Sequence, residues 1–147
     1  MLNWKDALSD EQLQRYKKLR IMDVVEFACE VLLPKLKIQP LAGKVGFHPV
    51  CSLQKMGLVE AAVRVINACS EGAYIPPSTG CCGMAGDRGF LYPELTASAT
   101  KRQAQEVAAA GCACHVSSSL TCELAMSNAV GSPYVGVLHL LEEVTRS

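Results

Sequence analysis

Three things are scarce in this sequence: an excess of either charge, an export signal and a long apolar run. Lys+Arg and Asp+Glu number 14 each, so there is no basic footprint, and neither nucleic acid nor an anionic membrane is expected as a partner. No run of 18 apolar residues occurs, and no transmembrane segment is expected. Met1-Leu2-Asn3-Trp4-Lys5-Asp6 lacks the basic and apolar regions of a signal peptide, which points to a cytoplasmic chain. Internal repeats, low-complexity tracts and a second domain are also lacking. What is present is 147 residues, half of them hydrophobic and 19% charged. That is one domain with enough length to bury a core, and not a disordered chain.

The unusual abundance is cysteine, eight in all. A secreted miniprotein would use so many as disulfides, but a chain of this length without an export signal does not need staples. Intracellular thiols at this density point to metal or redox chemistry, beside some that serve as small buried hydrophobes.

Ser9-Asp10-Glu11-Gln12 carries a capping-box pattern, with Leu8 as its staple. Ile21, Val25, Ala28 and Leu32 follow at helical spacing, beside Val24, until Pro34 stops the run. Residues 1–43 are therefore expected as a helical lead-in, one long helix and a connector. From residue 44 to 147 short apolar segments alternate with helical patterns. Val45–His48, Ala73–Ile75, His115–Ser118 and Tyr134–Val137 are expected strands. Met56, Val59, Val63 and Ile66 mark the face of one helix, Pro93 opens another, and Gly131 ends a third. Such alternation predicts an α/β fold: a small parallel sheet of about four strands with helices on both faces, plus the N-terminal helix.

On this frame the cysteines sort by address. Cys29 and Cys69 fall on apolar helix faces and are expected to be buried. Cys51 follows the first strand, Cys81 and Cys82 the second, and Cys122 the third. These strand–helix junctions share the carboxyl edge of a parallel sheet, where ligands bind. Cys112 and Cys114 stand at the amino end of the third strand, about 15 Å away at 3.3 Å per residue. Strand alternation is expected to leave both on one side. Helix amino ends at the rim favour thiolate. Gly80, Gly83, Gly86 and Gly89 would let backbone approach a bulky centre, and Arg88 would offset its charge. The spacing is not the C-x2–4-C pairing of zinc fingers, and adjacent thiolates suit a larger cluster better than one small ion. Zinc stays open.

The stretches His48-Pro49-Val50-Cys51, Gly80 to Leu95 (GCCGMAGDRGFLYPEL) and Ser117 to Glu123 (SSSLTCE) together resemble the cysteine-rich CCG domain. That domain occurs in the heterodisulfide reductase B subunit and in the iron–sulfur parts of glycolate and lactate oxidising systems. The likeness is greatest to the C-terminal region of bacterial FAD-linked oxidoreductases of the D-lactate dehydrogenase type, and covers residues 20–147. It implies an iron–sulfur electron-transfer domain, of the [4Fe-4S] kind, with Cys51, Cys81, Cys82 and Cys122 as ligands. The family pattern often ends in C-x-x-C, but Ser119 stands where the first of that pair would be, which favours a simple four-thiolate site.

The resemblance further implies upstream FAD and ferredoxin-like domains and an electron acceptor, through which the protein would be membrane-associated. FAD is expected only in that upstream part, and Met1 is expected to open a fragment that does not turn over alone. The alternatives are zinc held structurally by the same thiols, and thiol–disulfide chemistry at Cys81-Cys82. His48 is weighed as a core or loop-orienting residue, and His115 and His139 are given no role. Ser117-Ser118-Ser119 is expected to cap the following helix. The apolar stripe of the lead-in is expected against the sheet, the upstream domains, or a second copy in a homodimer.

Overall fold

A computed structural model of the chain describes residues 7–146. In chain order the elements are α1 (Asp10–Lys17), α2 (Val24–Phe27), β1 (Val45–His48), α3 (Cys51–Lys55), α4 (Val59–Cys69), β2 (Ala73–Tyr74), α5 (Arg88–Leu91), α6 (Pro93–Ala110), β3 (Cys114–Ser117), α7 (Leu120–Val130), β4 (Tyr134–Gly136) and α8 (Val137–Glu143). The strands form one all-parallel sheet of order β2-β1-β3-β4. This is the α/β architecture that the alternation predicts. Among the described residues no helix is long and apolar enough to cross a membrane.

All four residues of β1 are buried. A strand buried at every position is covered on both faces, as a central parallel strand must be. The chain runs from β1 to β2 on one side and then crosses to β3 on the other, which places α4 and α6 on opposite faces. Accordingly α4 packs on α8 and α2, while α6 packs on α7. Phe47, Ile66 and Leu140 are each fully exposed to neighbours and closed to water, and burying such a side chain is worth about 1.5–3 kcal/mol.

The lead-in divides. Ser9 makes the expected capping box with Gln12, but α1 ends at Lys17 with none of its residues buried. Asp23 then caps a new helix by accepting from the Val25 N–H at 2.8 Å. Its carboxylate satisfies a backbone donor that a continuous helix would have bonded to its own chain, so one expected helix becomes two. α2 runs on as a π turn (Ala28–Leu32) and a 3-10 turn (Leu33–Lys35). Val25, Ala28 and Cys29 join the core shared by Val45, Phe47 and Ile66, whereas Ile21, outside the helix, is 72% exposed. The helix expected around Met56 is likewise two, α3 and α4. Met56 caps α3 and is exposed, and the buried face of α4 is Ala61, Ala62, Val65, Ile66 and Cys69.

Candidate metal centre

β1 and β3 are neighbours, and the chain leaves them in opposite directions along the sheet. The crevice between their carboxyl ends is therefore the switch point at which parallel α/β sheets bind ligands. His48 and Ser117, the last residues of the two strands, are register partners. The Ser117 hydroxyl donates to the His48 carbonyl at 2.9 Å and ties the strand ends together. Cys51 opens α3 just beyond β1, and Cys122 lies in the first turn of α7 just beyond β3.

Into this crevice the loop after β2 delivers Cys82. The Cys82 and Cys122 sulfurs are 2.9 Å apart, and with a ring nitrogen of His48 they form a buried group whose ligand atoms all lie within 4.8 Å of one another. Cys51 and Cys81 are exposed, so the adjacent pair diverges: Cys82 turns inward, and Cys81 turns outward, accepting from the Gly83 N–H at 3.4 Å. The close thiol pair is thus Cys82–Cys122 and not Cys81–Cys82.

The two buried sulfurs lie within hydrogen-bond distance of each other. Donation from Cys122 holds the Cys82 thiol well below its ordinary range, against the opposing effect of burial, with further help from His48 and the Met84 N–H. Cys122 is pushed up by the same hydrogen bond and by burial, and then by the charges of Cys82, Cys51 and Cys81.

The loop is held by α6. Gly83 has φ +80°, and a Cβ there would lie 2.7 Å from the Leu95 carbonyl oxygen and 2.9 Å from the Thr96 Cα. At Gly89 a Cβ would meet Thr96 Cγ2 at 2.7 Å and would collide with Met84 Sδ. These glycines serve close packing of the loop on α6, while Gly86 faces open space; Gly83 also donates its N–H to the Cys81 sulfur. Ser78 anchors the loop's start, donating to Glu106 of α6 from its N–H at 2.9 Å and its hydroxyl at 2.7 Å. Arg88 is exposed at the start of α5.

Cys29 and Cys69 are buried, as expected. Cys112 and Cys114 stand at the amino end of β3, but they part: the Cys112 sulfur lies beside Gly46 and the His115 ring, while Cys114 packs on the core cluster. Strand alternation fails between them because β3 begins only at Cys114. Ser119 occupies the N-cap of α7 without a side-chain cap, its hydroxyl pairing instead with Thr121 at 3.3 Å.

Two residues enter the site that the sequence did not single out as members, His48 as a candidate ligand and Gln103 as its partner. Gln103 is 2% exposed in mid-α6, and its amide nitrogen sits 2.8 Å from His48 Nδ1. Its one signal was position, on the same helix face as Thr100 and Val107. Comparison of the chain with protein-family models, with curated proteins and with solved structures finds no match.

Proposed function

We propose that the switch-point crevice is a thiolate metal centre, an iron–sulfur cluster held by Cys51, Cys81, Cys82 and Cys122, and that the domain carries electrons. The observation that supports this is the divergence of the CC pair. Cys82 and Cys122 are buried and Cys81 and Cys51 exposed, a grading of burial that suits a cluster exchanging electrons with a partner. The donor set fits such a group: soft thiolates, one of them already stabilised as an anion, beside a buried imidazole nitrogen that lacks a partner among the described residues. When bound, an iron–sulfur centre supplies one-electron transfer. The chain's own part is to hold the inner thiols dry, to keep negative charge at Cys82, and to present Cys81 at the surface.

On this reading the protein is the electron-transfer domain of an FAD-linked 2-hydroxyacid dehydrogenase of D-lactate type, working at the cytoplasmic side of its acceptor. FAD and ferredoxin-like domains are the partners. Phe90, Leu91 and Tyr92 of the segment after the CCG loop, and Leu120 at the start of α7, are all more than half exposed and provide apolar surface for them.

A zinc site is the second reading, favoured by the compactness of His48, Cys82 and Cys122. Two thiolates on one tetrahedral ion, at 2.3 Å bonds, stand about 3.8 Å apart, so the Cys82 and Cys122 sulfurs, now 2.9 Å apart, would open by about 0.9 Å to hold it, within a group that already gathers within 4.8 Å. Anaerobic purification followed by dithionite titration separates the two. Visible absorption that bleaches on reduction, with a paramagnetic signal, is expected. A colourless protein that holds one zinc and takes up no electrons would overturn the iron–sulfur reading.

A further inference from the structure

We propose that His48 Nε2 is a metal ligand alongside Cys82 and Cys122, and that Gln103 is the positioning residue that permits this by turning its side-chain amide over. The proposal rests on the reading that the crevice holds a metal, and it adds a ligand beyond the four cysteines.

His48 is fully buried and its Nε2 has no hydrogen-bond partner among the described residues. Buried polar atoms are rarely left in that state, so something else is expected to satisfy it. Nδ1 is engaged by Gln103, whose amide nitrogen is 2.8 Å and oxygen 3.2 Å away. That leaves Nε2 as the nitrogen free to serve the Cys82–Cys122 pair within 4.8 Å.

The Gln103 amide is a donor at one end and an acceptor at the other. With its nitrogen toward Nδ1, as the shorter distance has it, the amide donates to Nδ1, and a neutral imidazole then carries its proton on Nε2, with no acceptor among the described residues. A half-turn of the amide brings its oxygen to Nδ1. As the metal enters, Nε2 releases its proton to solvent together with those of the thiols, Nδ1 takes one up from solvent and donates it to the amide oxygen, and the Nε2 lone pair is free to bind the metal. Imidazole stays neutral in both arrangements, so the switch adds no charge to a site closed to water. Metal-binding histidines generally donate their other N–H to an oxygen acceptor, and an amide supplies one without the desolvation cost of a buried carboxylate. α6 makes the support rigid, since the same helix clamps the Cys82 loop at Leu95 and Thr96.

The test uses the full chain, reduced and metal-free, labelled with 15N-histidine. Long-range 1H–15N spectra should show the His48 proton on Nε2 before, and on Nδ1 after, one equivalent of Zn2+, with the Nε2 resonance moved by coordination. Zinc affinity is measured separately against a chromophoric chelator. Gln103→Leu should weaken it about 10- to 100-fold, whereas Gln103→Glu, a pure acceptor, should retain it and keep the proton on Nδ1 throughout. Zinc that binds while Nε2 keeps its proton would overturn this proposal and leave the metal centre standing. Failure to bind zinc at all would overturn the proposal for His48, while the iron–sulfur reading is decided separately by the dithionite titration. A proton on Nδ1 in both states would overturn the amide turn, and this wild-type spectrum decides even where a Gln103 variant does not fold.

Discussion

Cys82 and Cys122 lie 40 residues apart in sequence and 2.9 Å apart at their sulfurs, buried beside His48. Cys81, the next residue along, is exposed. Reactivity should follow that division. In the reduced, metal-free chain, iodoacetamide at neutral pH should modify Cys81 and Cys51 first, because theirs are the accessible sulfurs. Cys69, pushed up to about 11 by burial and then by Cys114, should react only after unfolding, as should Cys29. Peptide mass spectrometry of a timed reaction checks the order. Cys69 labelling as fast as Cys81 would contradict it.

Gly83 and Gly86 have nearly the same backbone, φ +80° and +81°, but only Gly83 is packed against α6. Gly86→Ala should therefore cost about 1 kcal/mol for the left-handed conformation alone. Gly83→Ala should cost clearly more, because a methyl must displace the Leu95 carbonyl or the Thr96 backbone. It should also lower metal uptake by shifting Cys82. Urea unfolding midpoints of the two variants provide the comparison, and equal shifts would argue against the clamp.

Glu106 gives the loop a pH dependence. The Ser78 N–H and hydroxyl hold its carboxyl below the usual glutamate value of 4.5, with Arg102 adding to the effect. A carboxyl whose pKa is depressed by folding stabilises the fold above its unfolded value, and that stability is lost as pH falls through the folded one. The wild-type chain should lose more stability between neutral pH and about pH 3 than Glu106→Gln does. Parallel acid profiles for the two would show that the Ser78 contact contributes nothing.

Much of the fold was legible because its punctuation is local. Pro93 opens α6 and the left-handed Gly111 closes it; Val45–His48 is a short apolar run with helical pattern on one side. The meeting of Cys82 and Cys122 followed from topology, since residues just after parallel strands share one edge. The break before α2 was hidden because Ile21, Val24, Val25 and Ala28 keep helical spacing across it, and spacing does not register that Asp23 bonds the Val25 N–H. His48 was ambiguous for a similar reason: at the end of a buried strand, a core histidine and a ligand have the same neighbours in sequence. The contact with Gln103, from a helix 55 positions away, is equally hidden from the sequence. Cys112 and Cys114 were placed at the correct end of β3 but assigned to one side, because the sequence does not show where the strand begins.

The central claim is that the crevice between β1 and β3 is a metal centre and that the thiols at the other end of β3 are not part of it. The most direct measurement is metal and acid-labile sulfide content per chain after anaerobic preparation, for the wild type, Cys82→Ala and the double variant Cys112→Ala with Cys114→Ala. Iron and sulfide are expected in the wild type, undiminished in the double variant and sharply reduced in Cys82→Ala. A double variant that loses its metal while Cys82→Ala retains it would contradict the account.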